Sequence, residues 1–425
     1  MADKRVIIVG GGFAGLVAAI KLGNRQGVSV ALFDRRNHHL FQPLLYQVSM
    51  AGLSPADIAV PIRSVVSRYA NIDTYFGAVT AVATEAKKIS TDFGDFNYDY
   101  LVLACGAKHS YFGHEEWEPL APGLKTVEQA TEIRRRVFTS FELAEREHDP
   151  ERQRQLLTFI VVGGGPTGVE LAGALGEISR YTLAHDFRRI DPKRTRIMLV
   201  EAGPRILAAF DPVLSQRAAR DLERLGVQVW TSARVSNITT DGVQIGQEFL
   251  RATTVLWAAG VKPASINQTL GTELDKQGRV VVEADLSVKG HPELFVVGDQ
   301  AHFAHGAEEP LPGLAAVAMQ QGRHVAKVIM ASIDDKPRLP FHYFDKGIMA
   351  TIGRRRAVLQ VGGLRLAGGL AWFAWLFIHI YYLIGFRNKV SVYLSWVWSY
   401  FSYKRGARLI VEKDWRFYGS AAKSP

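Results

Sequence analysis

The chain has 425 residues, which is too long for one ordinary hydrophobic core, so we expect two or three domains. Its 51 Lys and Arg residues against 41 Asp and Glu residues leave a net charge of +10, which favours binding to an anionic membrane face or to anionic substrates. The sequence has no zinc-finger spacing and no long basic run, so nucleic acid is not expected as a partner. The single cysteine, Cys105, excludes an internal disulfide, a dithiol redox pair and a cysteine metal cage, and we predict no metal site.

The chain opens with a predicted strand, a glycine turn and a helix. Gly10, Gly12 and Gly15 follow the apolar residues 6–9 in the spacing G-x-G-x-x-G. The first glycine permits a tight turn, the second lets backbone approach a pyrophosphate, and the third lets helix and strand close up. Asp34 ends the next strand about 20 residues later, where a carboxylate would bind ribose hydroxyls. These features predict a dinucleotide site; a glycine turn that binds nothing is the alternative.

An apolar strand follows and ends at Gly106, and a polar helix rich in Glu and Arg is predicted over residues 127–148. Cys105 lies at the end of that strand. Because a single cysteine in an apolar strand usually behaves as a small inert hydrophobe, we assign it no chemistry.

A second unit of the same kind follows a predicted strand at residues 158–162. Gly163, Gly165 and Gly168 repeat the glycine spacing, and a helix is predicted to start near Thr167. Two such units imply two dinucleotides. A flavin beside a nicotinamide is the productive pair, because hydride can pass directly from one ring to the other. The glycines alone do not decide which unit holds which dinucleotide.

Glu201 is the candidate ribose-binding acid of the second unit. It closes a predicted strand at residues 196–200, after a spacing lengthened by residues 181–194, which are predicted to loop out. In this role Glu201 would disfavour NADPH, because a phosphate about 4 Å from a carboxylate is repelled by roughly 1 to 4 kcal/mol. Arg205 nearby would soften this preference.

Two later strands also end in glycine turns. One closes at Ala259 and Gly260, the other at Gly298 and Asp299, and a helix rich in Ala and Gln is predicted over residues 314–330. Alternating strands and helices predict an α/β fold with open, mostly parallel sheets. Asp299 is either a ligand of flavin sugar or phosphate hydroxyls or a plain helix N-cap.

The composition changes to an aromatic tail after residue 363. Residues 366–386 carry no charge and are nominally long enough to span a membrane, which needs about 20 residues. The abundant aromatic residues favour instead a helix lying in the membrane interface, or one packing on a neighbour through the serines of residues 390–403; a buried dimer interface is the alternative. Basic residues around these segments would meet anionic lipid. They are Arg354, Arg355, Arg356, Arg365, Arg387, Lys389, Lys404, Arg405 and Arg408.

Several strings spread over nearly the whole chain resemble the type II NADH dehydrogenases, the alternative, non-proton-pumping NADH:quinone oxidoreductases. They are residues 34–47, 257–262, 297–299, 343–353, 385–389 and 405–410. The resemblance implies two Rossmann-like dinucleotide-binding domains of the pyridine-nucleotide flavoprotein reductase type and a C-terminal membrane-associating helical segment. It also implies non-covalent FAD on the first unit, NADH as substrate on the second, a membrane quinone as acceptor, and no proton pumping.

The predicted domains follow from this resemblance. The FAD-binding domain is expected to comprise residues 1–120 and 286–335, the NADH-binding domain residues 121–285, and the membrane-attachment region residues 336–425. We expect peripheral, monotopic attachment to the lipid bilayer surface on the cytoplasmic face of the inner membrane, since no apolar signal region precedes the first strand. A homodimer is left open.

The resemblance also assigns site residues. Residues 41–46 would lie along the flavin and Asp299 on its ribityl chain. Further cofactor contacts are expected from Arg35, Gln42, Pro43, Leu44 and Gly106. Glu170 matches the acidic residue that the family carries near the nicotinamide; the alternative is a carboxylate in the first turn of the second helix that the helix dipole favours.

The quinone-pocket helix of the family commonly reads Ala-Gln-x-Ala-x-Gln. This chain has Ala316 at the first glutamine position and keeps Gln320. Gln320, Gln321 and Lys346 are therefore candidates for the flavin and quinone face, and Glu170, Gln320 and Lys346 form the predicted catalytic set. Lys346 is alternatively an exposed lysine in a turn.

Three rival classes of protein each differ from an NADH:quinone oxidoreductase in one feature. Sulfide:quinone oxidoreductases and disulfide reductases have the expected fold but need paired cysteines, which this chain lacks. A flavoprotein reductase of a small iron–sulfur protein would have no use for the aromatic tail. A membrane-tethered redox sensor that binds FAD and NAD differs from an enzyme by slow turnover.

Overall fold

The computed structural model describes residues 3–304, 306, 309–402 and 405–411. The α-helices in this part of the chain are α1 (Phe13–Leu22), α2 (Leu45–Ser49), α3 (Pro55–Ile58), α4 (Ile62–Val66), α5 (Val127–Arg146), α6 (Pro150–Leu156), α7 (Pro166–Glu177), α8 (Pro212–Arg224), α9 (Ala315–Ile333), α10 (Gly369–Tyr382) and α11 (Phe386–Ser402). The strands are β1 (Lys4–Val9), β2 (Val28–Asp34), β3 (His38–Leu40), β4 (Ala59–Pro61), β5 (Ile72–Phe76), β6 (Val79–Ala83), β7 (Lys88–Thr91), β8 (Gly94–Asn97), β9 (Tyr100–Leu103), β10 (Ala107–His109), β11 (Thr158–Val162), β12 (Arg196–Val200), β13 (Val227–Trp230), β14 (Val235–Ile238), β15 (Gly242–Ile245), β16 (Glu248–Arg251), β17 (Thr254–Trp257), β18 (Val261–Pro263), β19 (Val280–Val281), β20 (Ser287–Val288), β21 (His291–Val296), β22 (Ala301–His302), β23 (Ile348–Gly353), β24 (Arg356–Val361) and β25 (Leu364–Ala367).

The first of two compact units contains a six-stranded sheet. This unit comprises the described residues of Met1–Leu40, Ala59–Ser110 and Val261–Lys346. The strand order is β20-β21-β9-β1-β2-β5, parallel except for the β20–β21 pair. Its central strands are continuous apolar runs because both faces are covered. Ile7 and Phe33 pack with Val82 and Ile89 of the small β6-β7-β8 sheet, and α1 packs on α9.

The second compact unit contains a four-stranded parallel sheet in the order β13-β12-β11-β17. It comprises the described residues of Phe41–Ile58, Tyr111–Gly260 and Gly347–Pro425. Ile160 and Val162 lie in its core, together with Val243 of the antiparallel β14-β15-β16 sheet. A third sheet, β23-β24-β25, is antiparallel, and β23 packs on α7. The predicted α/β fold is confirmed, and its two central sheets are mostly parallel, whereas most of the smaller sheets are antiparallel.

The compact units divide the chain at other positions than the predicted domains. Residues 261–285 group with the first unit, although the sequence suggested the NADH-binding domain. Residues 41–58 and the described residues from Gly347 onward group with the second. The composition of the chain does not change at these boundaries, so the sequence could not show where one unit ends and the other begins. The FAD and NADH assignments of the domains stay predictions.

The uncharged run of residues 366–386 does not form one helix. Its first residues belong to β25, Gly368 takes a positive φ of 80°, and α10 follows over 14 residues. Gly385, with a φ of 88°, separates α10 from α11. Such backbone suits glycine and interrupts a helix. Among the described residues, no helix combines the length and apolar character needed to cross a membrane.

Helix α11 packs on the second unit through its polar residues. Asn388 donates to the carbonyl oxygens of Ala56 and Asp57, at 3.0 Å each, and Ser391 donates to the Asp57 carboxylate at 2.7 Å. The serine stripe is half-buried. The opposite side exposes the large apolar side chains Tyr393, Leu394, Val397, Trp398 and Phe401. The pattern of small residues therefore marked the face of the helix that packs on the protein.

Several of the basic residues expected at lipid make polar contacts within the protein, among them Arg365 with Asp211 at 2.9 Å. Arg405 is largely buried and pairs with Glu177 at 3.0 Å. Arg408 pairs with Asp186. The expectation that Arg405 meets anionic lipid is wrong, because its side chain is buried and its charge is matched by a carboxylate distant in sequence. For Arg408, which keeps part of its surface exposed, lipid contact stays a prediction. Lys404 lies outside the described residues.

Candidate active site

The first glycine turn is shaped by close backbone approach. A Cβ at Gly10, whose φ is +105°, would lie 2.3 Å from the carbonyl oxygen of Ala104, and one at Gly15 would lie 1.9 Å from the carbonyl oxygen of Gly10. At Gly12, which precedes α1, an added Cβ would meet no atom within 4 Å. The turn is therefore tight where the chain closes on itself and open at the helix N-terminus, where a diphosphate binds. These residues fit a dinucleotide.

Asp34 is held beside this turn at the end of β2. One carboxylate oxygen accepts from the backbone N–H of Gly11 at 2.6 Å, and the other accepts from that of Arg36 at 2.7 Å. Arg35 is exposed next to it. This arrangement fixes the carboxylate at the edge of the glycine turn, as a ribose ligand requires.

His39 is a residue of this site that the sequence analysis missed. Its side chain is 2% exposed, its Nδ1 lies 3.0 Å from the Gly11 carbonyl oxygen, and Phe13 meets the ring edge-on at 5.2 Å. Burial lowers the pKa of His39, so the imidazole is neutral. A carbonyl only accepts, so Nδ1 carries the proton and Nε2 is left as an acceptor. The sequence signal that could have found His39 was its position within residues 34–47, the first of the strings that resemble the family.

The turn at Gly298 is tied to helix α9. The Gly298 N–H donates to the buried Gln321 side chain at 2.6 Å, so Gln321 supports this turn. Asp299 lies beside Gly313, where a Cβ would come within 3.0 Å of its carboxylate. Helix α9 begins at Ala315, so Asp299 is not its N-cap and that alternative is wrong.

Two members of the predicted catalytic set lie in the first compact unit. The Gln320 side chain pairs twice with the backbone of Phe344: its Nε2 donates to the carbonyl at 2.9 Å, and its Oε1 accepts from the N–H at 3.1 Å. Lys346 is exposed, and Ala316 lies in the first turn of α9. Gln320 thus secures the segment that leads to Lys346.

The second glycine turn repeats the first. A Cβ at Gly163 would lie 2.7 Å from Ala258 backbone atoms, and one at Gly168 would lie 1.8 Å from the Gly163 carbonyl oxygen. Gly165 has open space and precedes α7, with Thr167 in the first turn. The same tight and open positions recur, so this turn also fits a dinucleotide.

Glu201 occupies the position that Asp34 has in the first unit. Its carboxylate accepts from the N–H groups of Gly164 and Gly203, each at 2.6 Å. The Arg205 guanidinium donates to two carbonyl oxygens of its own loop at 2.6 and 2.7 Å. Because the Arg205 guanidinium already donates to these carbonyl oxygens, it is less available to bind the extra phosphate of NADPH and to offset the repulsion from Glu201.

The end of β17 completes this group of residues. Ala259 and Gly260 follow the strand, and Gly260 has a φ of +68°. A Cβ there would lie 2.4 Å from the ring of Phe112, which is 61% exposed. We call each glycine turn with its carboxylate a cradle. The second compact unit holds one cradle, formed by Gly163, Gly165, Gly168 and Glu201, and it also contains Gln42, Pro43 and Leu44. The first holds Gly10, Gly12, Gly15, Asp34, Gly106, Gly298 and Asp299.

Glu170 has an unusual environment. Helix α7 begins at Pro166, so Glu170 lies beyond the first turn, and the expected first-turn position and its helix-dipole explanation are wrong. Burial raises the pKa of Glu170 to about 8, while a backbone hydrogen bond from Thr351 acts in the opposite direction. The carboxyl group is therefore protonated at neutral pH. Perturbed carboxyl groups of this kind are frequent at functional sites.

Glu170 lines a cleft within the second compact unit. Its walls come from α2, α7, β23, α10 and α11. They combine aromatic with polar side chains: Tyr46, Gln47, Glu170, Glu177, Thr182, Thr351, Arg354, Trp372, Trp375, Trp396, Ser399, Tyr400 and Arg405. An apolar cleft with a few polar groups is typical of small-molecule sites. Glu170 could be predicted from the sequence, but the cleft and its tryptophans could not, because the walls come from residues far apart in the chain.

The polar residues of the cleft are ordered by hydrogen bonds. Trp396 donates from its indole nitrogen to Gln47 at 2.7 Å, and Gln47 donates to the Tyr46 hydroxyl at 2.9 Å. Burial, and then the nearby Glu170, hold the pKa of Tyr46 well above its usual value. Arg405 donates to the Met50 carbonyl at 2.9 Å as well as to its carboxylate partner. The tail thus builds one wall of the cleft.

Known proteins match the whole of this architecture. The sequence profile of the family described as pyridine nucleotide-disulphide oxidoreductase matches residues 4–322. Two proteins of Mycobacterium tuberculosis (strain ATCC 25618 / H37Rv) are similar along most of their length. The type II NADH:quinone oxidoreductase Ndh is 40% identical over 96% of this chain and 91% of the relative. The type II NADH:quinone oxidoreductase NdhA is 42% identical over 96% and 90%.

A solved structure shows the same fold. The structure of NDH2 from Plasmodium falciparum in complex with NADH superposes with a TM-score of 0.87 at 18% identity, over 96% of this chain and 100% of that one. The resemblance read from the sequence strings is confirmed. With paired dinucleotide cradles, identity of 40% over most of the chain and this shared fold, the chain belongs to the type II NADH:quinone oxidoreductases.

Proposed function

We propose that this protein oxidises NADH and passes the electrons through non-covalent FAD to a quinone. When bound, FAD supplies a ring that takes hydride from NADH and returns two electrons to the quinone. The observation that carries the proposal is the pair of glycine turns with matching close contacts and matching carboxylates, Asp34 and Glu201. Each is open where a diphosphate would lie, so two dinucleotides are accommodated in one chain.

The two cradles take different dinucleotides in this proposal. FAD would be held by residues of the first compact unit: Gly10, Gly12, Gly15, Asp34, Arg35, His39, Gly106, Gly298 and Asp299. NADH would be held by Gly163, Gly165, Thr167, Gly168, Glu201, Ala259 and Gly260. Gln320 acts as a positioning residue, because both ends of its amide bind backbone. Lys346, at the end of the segment that Gln320 holds, would contact the flavin.

The aromatic cleft is the proposed place of quinone reduction. Its tryptophans offer flat apolar surfaces to a planar ring. Reduction of a quinone to a quinol consumes two electrons and two protons. Glu170 is protonated at neutral pH and lines the cleft, so it donates one of these protons to a quinone oxygen.

The exposed face of the tail is the proposed membrane contact. Leu370, Phe373, Phe377 and Tyr381 of α10 are more than half exposed, as are most of the outward side chains of α11. Arg387, in α11, and Arg355, in the turn between β23 and β24, are exposed. Apolar side chains flanked by cations suit an anionic bilayer surface better than a second copy of this basic chain. We infer monotopic attachment at the cytoplasmic face of the inner membrane.

One experiment tests the proposed function. The purified full chain, loaded with FAD, is mixed with NADH and a short-chain quinone, with and without anionic vesicles. We expect bleaching of the flavin band by NADH, rapid recovery on addition of quinone, and co-sedimentation with vesicles that high salt weakens. Slow flavin reduction without reoxidation by quinone would contradict the enzyme and support a sensor. A stable dimer that ignores vesicles would contradict membrane attachment, and acidification inside sealed proteoliposomes during turnover would contradict non-pumping chemistry.

A further inference from the structure

The indole nitrogen of Trp375 stands out within the cleft. Trp375 lies in α10 and is 1% exposed, yet it contributes to the cleft wall. Its Nε1–H has no hydrogen-bond partner among the described residues. Almost all buried N–H groups in proteins have a hydrogen-bond partner. An unpaired one at a binding cleft therefore indicates that a ligand supplies the acceptor.

The ring of Trp375 is fixed by its neighbours. His379 stacks on it with centroids 4.1 Å apart, and Trp396 packs at 5.5 Å. The Nδ1 atom of His379 lies 2.7 Å from the Trp375 carbonyl oxygen, which holds that imidazole in place. The indole therefore cannot turn towards another acceptor without breaking these contacts. Trp396, by contrast, has its N–H satisfied by Gln47.

We propose that Trp375 Nε1–H donates a hydrogen bond to a carbonyl oxygen of the quinone ring. The inference rests on the proposed function and names the group that orients the acceptor in the cleft. An indole N–H only donates, and a quinone carbonyl only accepts. The pairing is therefore complementary, and it selects acceptors that carry a ring carbonyl.

The test removes the N–H while keeping the shape of the side chain. Benzothienylalanine at position 375 replaces N–H by sulfur in a bicyclic ring of similar size, and Trp375→Phe is the simpler companion. In the FAD-loaded protein we expect the KM for a short-chain quinone to rise roughly three- to tenfold. The rate with ferricyanide and the KM for NADH should not change. Trp230, in β13 and outside the cleft, is the matched control for the same replacement.

A spectroscopic readout separates binding from packing. The indole hydrogen-bond band in the ultraviolet Raman spectrum, isolated as wild type minus the position-375 analogue, should shift when quinone is added. An unchanged quinone KM and an unshifted band would overturn the inference. So would an altered flavin spectrum in the analogue, because the indole would then serve the flavin. If the wild type itself fails to reduce quinone although NADH bleaches its flavin, the proposed function fails.

Discussion

Replacing Glu170 by glutamine should change the pH dependence of both stability and turnover. The pKa of Glu170 in the folded chain is about 8, against a usual value of 4.5. Between these values the unfolded chain releases the proton and the folded chain keeps it. The folded state therefore binds more protons, so wild-type stability falls as the pH rises through this window. Glutamine has no charge to bury, and Glu170→Gln removes this fall.

The size of the effect follows from the shift. A difference of roughly 3.5 units, at 1.36 kcal/mol per unit, corresponds to at most ~5 kcal/mol between pH 4.5 and pH 8. Because Glu170 lines an open cleft and is only half-buried, we expect about 2 kcal/mol. Urea unfolding of both proteins at pH 5 and pH 8 measures it: the variant should gain stability relative to wild type as the pH rises.

Turnover with quinone gives the second readout. Wild-type kcat should decline above pH 8, where Glu170 loses its proton, whereas Glu170→Gln should be slower by about a hundredfold with a flatter profile. Flavin content and the rate with ferricyanide serve as controls and should be retained. Equal quinone kcat in both proteins, or a wild-type profile that rises through pH 8, would refute the role of Glu170 as proton donor.

Three further predictions concern the cradles and the tail. In both Gly12→Ala and Gly165→Ala the added Cβ fills space left for a diphosphate. Gly12→Ala should therefore lose FAD, measured as the ratio of absorbance at 450 and 280 nm. Gly165→Ala should keep FAD and raise the KM for NADH. Glu201→Gln should reduce the preference for NADH over NADPH by about tenfold, measured as a ratio of kcat/KM values. Arg405→Ala should cost about 2–3 kcal/mol in urea unfolding, because it removes a largely buried guanidinium and leaves the partly buried Glu177 carboxylate with only the backbone N–H of Arg354 among the described residues. The exposed control Arg355→Ala should cost about 0.5 kcal/mol or less, and equal costs would contradict the role of the ion pair.

The strand–turn–helix units could be predicted from the sequence for a physical reason. Parallel strands buried on both faces read as continuous apolar runs, and glycines mark where each run turns. The strands Thr158–Val162 and Arg196–Val200 accordingly have the predicted bounds. Both glycine turns and both carboxylates also lie where local spacing put them, because a cradle is built within a short stretch of chain.

Long-range contacts explain what the sequence did not show. The raised pKa of Glu170 depends on burial that distant segments create. Arg405 and Glu177 are 228 residues apart, and only folding reveals that a tail residue expected at lipid is paired with a helix-end carboxylate. The bounds of the first tail helix could not be predicted either, because the hydropathy of residues 366–386 does not reveal the backbone breaks at Gly368 and Gly385.

Helix α11 joins the two halves of the proposed function. One side of it binds the 45–58 segment and supplies Trp396 to the cleft, while the other side exposes apolar side chains. A quinone is itself apolar, so in the proposed function an acceptor dissolved in lipid would meet a helix that both contacts the membrane and forms a wall of the cleft. The proposal therefore makes attachment and substrate access depend on the same helix. Loss of its docking contacts at Asn388 would disturb quinone turnover even in a soluble assay, where lipid has no part.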